Sequence, residues 1–191
     1  MMIKTFGLIL ALSFASLSVS GSINSPQSRD HLTQQEVDLV KDAQVLDQRI
    51  DVFVKAADRR LIMLTGAQAN SAKQIKKDFE KWGELPNSTR AELLSDIAKI
   101  LDEAITNIDG VSERDEKNPL IPKALRKLAA EVTRINEQLK SMREQVKSDE
   151  EIASFEALVE NAESILEAAK KLPPPVDKKS KGKAEKAKGN N

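Results

Sequence analysis

Residues 123–172 read KALRKLAAEVTRINEQLKSMREQVKSDEEIASFEALVENAESILEAAKKL. In the first half, apolar residues fall at Leu125, Leu128, Val132, Ile135, Leu139, Met142 and Val146. The steps alternate three and four without a break, which is the repeat of one buried helix face. In the second half the seam is Ile152, Phe155, Val159, Ala162, Leu166 and Ala169, widened by Leu158, Ile165 and Leu172. Between the halves, Ser148 and Glu151 stand at capping-box spacing, so a helix stops and another starts within a few residues. So short a connection makes the two helices fold back antiparallel. The first of them is mostly basic (Lys123, Arg126, Lys127, Arg134, Lys140, Arg143, Lys147) and the second mostly acidic (Glu150, Glu151, Glu156, Glu160, Glu163, Glu167). That contrast predicts that their charged flanks face each other.

The same repeat extends upstream. Thr33 and Glu36 form a capping box, and apolar residues follow at Leu39, Ala43, Leu46, Ile50, Phe53, Ala57, Leu61 and Leu64. This predicts one helix from Thr33 to about Thr65, roughly 48 Å long at 1.5 Å per residue, closed by Gly66. A shorter helix is expected over Gln68–Trp82, ended by Gly83 and Pro86. A third opens at Ser88 or Thr89, with Thr89 and Glu92 as its box, and carries a broad apolar face from Leu93 to Ile108. A polar loop is expected over Asp109–Asn118, with Pro119 and Pro122 in the first turn of the next helix. Alternating β-branched runs are absent. The predicted fold is all-α: an antiparallel up-down bundle of four long helices plus one short one, over residues 33–172.

The flanks differ in character. Residues 1–21 read as a signal peptide: Lys4 precedes an uncharged apolar run from Leu8 to Leu17, and small residues cluster from Ser16 to Ser22. The run is too short to span a bilayer. Residues 22–32 read as a flexible lead-in. Residues 173–191 begin with three prolines and continue as a tail rich in lysine (Lys178, Lys179, Lys181, Lys183, Lys186, Lys188), of a composition that stays disordered. The expected destination is therefore the periplasm or the secreted space.

Composition excludes several classes. The chain has 30 basic and 30 acidic residues, so no global field draws it to nucleic acid. It has no Cys and no Tyr. Disulfides, thiolate metal sites and cysteine nucleophiles are removed together, and aromatic platforms for single-stranded nucleic acid are missing. The one histidine, His31, precedes the first helix, so a di-iron Glu-x-x-His pair does not exist, and for haem Met63 and Met142 are available but no helix-borne His is. Asp47, Asp51 and Asp58 line one border of the first seam, where carboxylates suit a hard cation. Beside Arg49, Arg59 and Arg60 they read instead as solvated flank. No nucleophile elbow and no Gly-rich phosphate loop is present. No catalytic, cofactor or metal residue is nominated, and no enzyme activity is expected.

Two surfaces remain. In the short helix, Lys73, Lys76, Lys77 and Lys81 surround Phe79 and Trp82, a pattern that suits a protein partner or peripheral contact with an anionic membrane. The lysines of the tail suit electrostatic attachment to an anionic envelope component. The seams also allow a second copy of the chain as partner. Leu32–Glu36 is similar to the Leu-Thr-x-x-Gln motif of small helical periplasmic chaperones and envelope-stress sensors. It departs from that motif at the last position, and the capping box accounts for the same residues. The expected function is that of an exported, non-enzymatic interaction or scaffold protein. The alternative is a bundle that holds an apolar small molecule or metal ion between its helices.

Overall fold

The first capping box forms as the sequence predicts. The Thr33 hydroxyl accepts the Glu36 amide at 3.2 Å, and the Glu36 carboxylate takes the Thr33 amide at 2.9 Å. The computed structural model describes residues 30–66, 72–85 and 87–174, with the backbone alone over 72–76. The proposed signal peptide, most of the lead-in and the lysine tail lie outside the described residues. The helices are α1 (Gln34–Asp42), α2 (Leu46–Thr65), α3 (Ala72–Trp82), α4 (Arg90–Arg114), α5 (Leu120–Met142) and α6 (Asp149–Lys170). No strand occurs among the described residues. The fold is all-α, with α2, α4, α5 and α6 as its four long helices.

The expected single helix over 33–65 is corrected: it breaks at Ala43–Val45. The reason is tertiary. Glu36 and Arg60 lie 24 positions apart, which is about 36 Å along a straight helix, yet their side chains meet at 2.8 and 2.9 Å. Only a reversal of the chain allows this, so α1 folds back along α2. The Ala43 carbonyl, released from the helical ladder, accepts from Arg49 Nε at 3.1 Å.

The expected loop over 109–118 is also corrected. Helix α4 runs through Gly110 to Arg114. A glycine inside a helix costs about 1 kcal/mol relative to alanine, and the packing of Val111 on the core offsets it. The true turn is Asp115–Asn118, after which the Asn118 side chain accepts the Leu120 amide at 3.0 Å and starts α5.

Ion pairs and hydrogen bonds fix the directions of the long helices. Arg49 meets Asn107 and Arg60 faces Asp96, so α4 runs antiparallel to α2. Lys123 meets Asp47 and Arg134 meets Asp58, so α5 runs parallel to α2. Arg90 meets Glu151 and Asn161 donates to the Ala98 carbonyl, so α6 runs parallel to α4. The up-down order is kept, while α2 and α6 stand at opposite corners, without the close backbone approach that each makes to α4 and α5. One continuous core joins the four, with Ile50, Phe53, Leu94, Leu101, Leu128 and Leu158 fully buried.

Two side-chain expectations change with this arrangement. Lys123, Lys127 and Arg134 of α5 turn toward the acidic border of α2, while Lys140 pairs with Glu137 of its own helix and Arg126 donates to the Pro173 carbonyl. The buried stripe of α6 is Phe155, Leu158, Ala162 and Ile165. Ile152 and Val159, placed in the seam by the sequence, sit at its edge instead, and Ile152 is 40% exposed.

Candidate functional site

The C-terminal part of α3 is fixed on the outer side of α2. Asp78 pairs with Lys55 of α2 at 3.1 Å. Arg59 of α2 donates to the carbonyls of Trp82 and Gly83 at 3.2 and 2.5 Å. Its guanidinium also lies 5.9 Å from the Trp82 ring centre, and the Lys81 ammonium lies 5.6 Å from it, both within cation–π reach. Gly83 closes the helix at a φ of 68°. A side chain there would be strained, and its Cβ would fall 2.6 Å from the Gln35 side chain.

The candidate residues of α3 therefore separate. Trp82 is buried, at 7% exposure, and serves as the anchor of the helix. Phe79 is 53% exposed, and Lys77 and Lys81 are exposed with it. The side chains of Lys73 and Lys76 lie outside the described residues, as do Lys178, Lys179, Lys181, Lys183, Lys186 and Lys188.

Beneath α3 and α1 lies a charged cluster that the sequence did not reveal. Glu36 is 0% exposed, Arg60 1% and Asp96 4%. The Glu36 carboxylate accepts from Arg59 at 2.7 Å, from both terminal nitrogens of Arg60, and from the Thr33 amide. Arg60 also donates to the carbonyls of Ala56 and His31, at 2.9 and 2.6 Å, while its Nε faces Asp96 at 3.6 Å. Two cations and two carboxylates balance, which is what makes burial of charge tolerable. Burial pushes the Glu36 carboxyl upward. The hydrogen bonds and charge of Arg60, the Thr33 amide and Arg59 outweigh it and hold the group below its ordinary value.

The lead-in is drawn into the same structure where it is described. Leu32 is buried, and His31 Nε2 lies 2.8 Å from Glu103 Oε2 on α4. At the level of sequence the capping box alone accounts for Glu36. Its second role depends on Arg59 and Arg60, which a local reading assigns to the surface.

The possible cation border of α2 is occupied by protein charge. Asp47 pairs with Lys123 and Lys127 at 2.5 and 2.9 Å, Asp51 with Lys127 at 2.6 Å, and Asp58 with Arg134 at 2.5 Å. Hydrogen bonds from Lys123 and Lys127 hold the Asp47 carboxyl below its ordinary value. Among the described residues no three His, Cys, Asp or Glu side chains converge on a point that would hold a metal ion.

On the opposite corner, a groove of about 320 Å³ runs along α6 and opens to solvent. Val146, Ile152, Phe155 and Val159 give it an apolar floor, and Glu156, Glu160 and Glu163 stand along it with Arg143 at one end. These glutamates are exposed. The groove exists because Ile152 is exposed and Val159 only partly buried at the edge of the core, and because Lys123, Lys127 and Arg134 of α5 are engaged by α2.

No protein-family profile, curated protein or solved structure matches the chain. Among the described residues no helix is long and apolar enough to cross a membrane.

Proposed function

We propose that this chain is a non-enzymatic interaction or scaffold protein of the cell envelope or secreted space, and that the exposed face of α3 is its principal contact surface. The observation that carries this reading is Phe79. A large ring stands 53% exposed on a helix that Trp82, Arg59 and the Lys55–Asp78 pair hold in place. Exposed aromatic anchors on a preorganised element are the usual source of binding energy at protein interfaces. Lys77 and Lys81 add a cationic field that favours an acidic partner. The signal-like N-terminus supports the destination, and the lysine tail supports a second, salt-sensitive attachment to an anionic envelope component.

The test is crosslinked capture from the envelope of the producing cell. Wild type is compared with Phe79→Glu combined with Lys77→Glu, which leaves the Lys81–Trp82 contact of the anchor intact, and with a chain truncated after Pro174. These side chains are exposed, so the circular-dichroism spectrum should not change. Capture of the specific partner is expected to fall roughly tenfold or more in the α3 variant, as for loss of a binding hot spot. Equal capture by all three proteins would overturn the reading.

A further inference from the structure

We infer that the chain associates with itself head to tail, with the exposed face of α3 of one copy seated in the α6 groove of the next. This rests on the reading of α3 as a contact surface and names its partner. Four observations support the fit. The groove has an apolar floor with Ile152 40% exposed, and α3 offers the ring of Phe79 at 53%. Glu156, Glu160 and Glu163 stand along the groove, whereas the described part of α3 exposes Lys77 and Lys81 beside Phe79, with Glu80 as its exposed acid and Asp78 paired to Lys55. Charge and apolar surface are therefore complementary on both sides.

The lengths also agree. Helix α3 has 11 residues, about 16 Å at 1.5 Å per residue, and the lining from Ile152 to Glu163 covers the same rise. Finally, the two surfaces belong to opposite corners of the bundle. Helix α3 is held by α1 and α2, and among the described residues the backbone of α6 approaches α4 and α5 closely but not α2 or α3. One molecule cannot satisfy its own groove with its own α3. Contact between unlike surfaces propagates from copy to copy unless the rotation closes a ring. An interface of one short helix is below the size of stable dimers, so association is weak, concentration-dependent and reduced by salt.

The experiment is sedimentation velocity of the full-length mature chain at rising concentration. Wild type is compared with Phe79→Glu, which blocks α3, and Ile152→Glu, which blocks the groove. Wild-type mass should rise with concentration, and each variant alone should stay monomeric. An equimolar mixture of the two should reach twice the monomer mass and stop, because each pair retains one intact α3 and one intact groove. A monomeric wild type at every concentration would overturn the inference, as would variants that associate like wild type. Loss of association on truncation after Pro174, with Phe79→Glu unaffected, would assign the groove to the lysine tail and also overturn it. Envelope capture that depends on Phe79 from a wild type that stays monomeric would refute self-association and leave the interaction reading standing. Capture and association both indifferent to Phe79→Glu would refute both.

Discussion

Replacing Glu36 with alanine is expected to destabilise the fold by about 3–5 kcal/mol, the range for removing one partner of a buried ion pair. Arg60, 1% exposed, would lose its two short contacts to carboxylate and keep Asp96 only at 3.6 Å. Arg59 would lose its 2.7 Å partner, and the Thr33 amide would lose its acceptor. Urea unfolding followed by circular dichroism measures the loss. A change below about 1 kcal/mol would mean that the group is solvated, as surface pairs are. Replacing Glu36, Arg60 and Asp96 together by Leu, Met and Leu should recover much of the loss, because a satisfied charge cluster and a packed apolar one are often close in energy.

The same carboxylate sets an acid limit. Its folded pKa lies below the ordinary 4.5, so between the two values the unfolded chain binds the proton and the folded one does not. The stabilisation is complete above about pH 4.5 and is lost as pH falls through the folded value. Asp47 behaves alike from its ordinary 3.8 downward. Wild type should therefore lose stability on acidification below about pH 4.5, and Glu36→Gln, already weakened at neutral pH, should show a shallower decline over that range.

The second large effect separates two phenylalanines. Phe53 is fully buried among the core residues of α2. Phe53→Ala is expected to cost about 3–5 kcal/mol, the sum of lost burial and the cavity left behind. Phe79→Ala should change stability by no more than about 0.5 kcal/mol, since Phe79 is 53% exposed. Thermal unfolding of both variants tests the assignment of core and contact surface at once. Comparable losses would show that Phe79 is packed and unavailable to a partner.

The long helices were legible in the sequence because each buries a seam of regular period. Leu128, Val132, Ile135 and Leu139 are buried where the repeat puts them. The break at Ala43–Val45 left no trace in the period, since Ala43 and Leu46 continue the three-four alternation and are buried on either side of the reversal. Its cause is a contact across 24 positions, which no local window contains. Charge was misread for a related reason. The basic residues of α5 had two acidic neighbours to choose from, and composition does not say that α2 wins. The edge position of Ile152 and Val159 follows from the rotation of α6 toward α4, where Asn161 bonds the Ala98 carbonyl. In the short helix, periodicity grouped Phe79 with Trp82. Only the clamp of Arg59 shows which of them is anchor and which is exposed.

The α6 groove keeps its acidic rim because Lys123, Lys127 and Arg134 of α5 pair with α2. Zero-length carbodiimide crosslinking of dilute protein, read by mass spectrometry, tests this directly, because it joins only amines and carboxylates already in contact. Links from Lys127 to Asp51 and Asp47, and from Lys123 to Asp47, are expected at separations of 2.6, 2.9 and 2.5 Å. Links from those lysines to Glu163 or Glu167 of α6 would contradict the arrangement and close the groove to any partner.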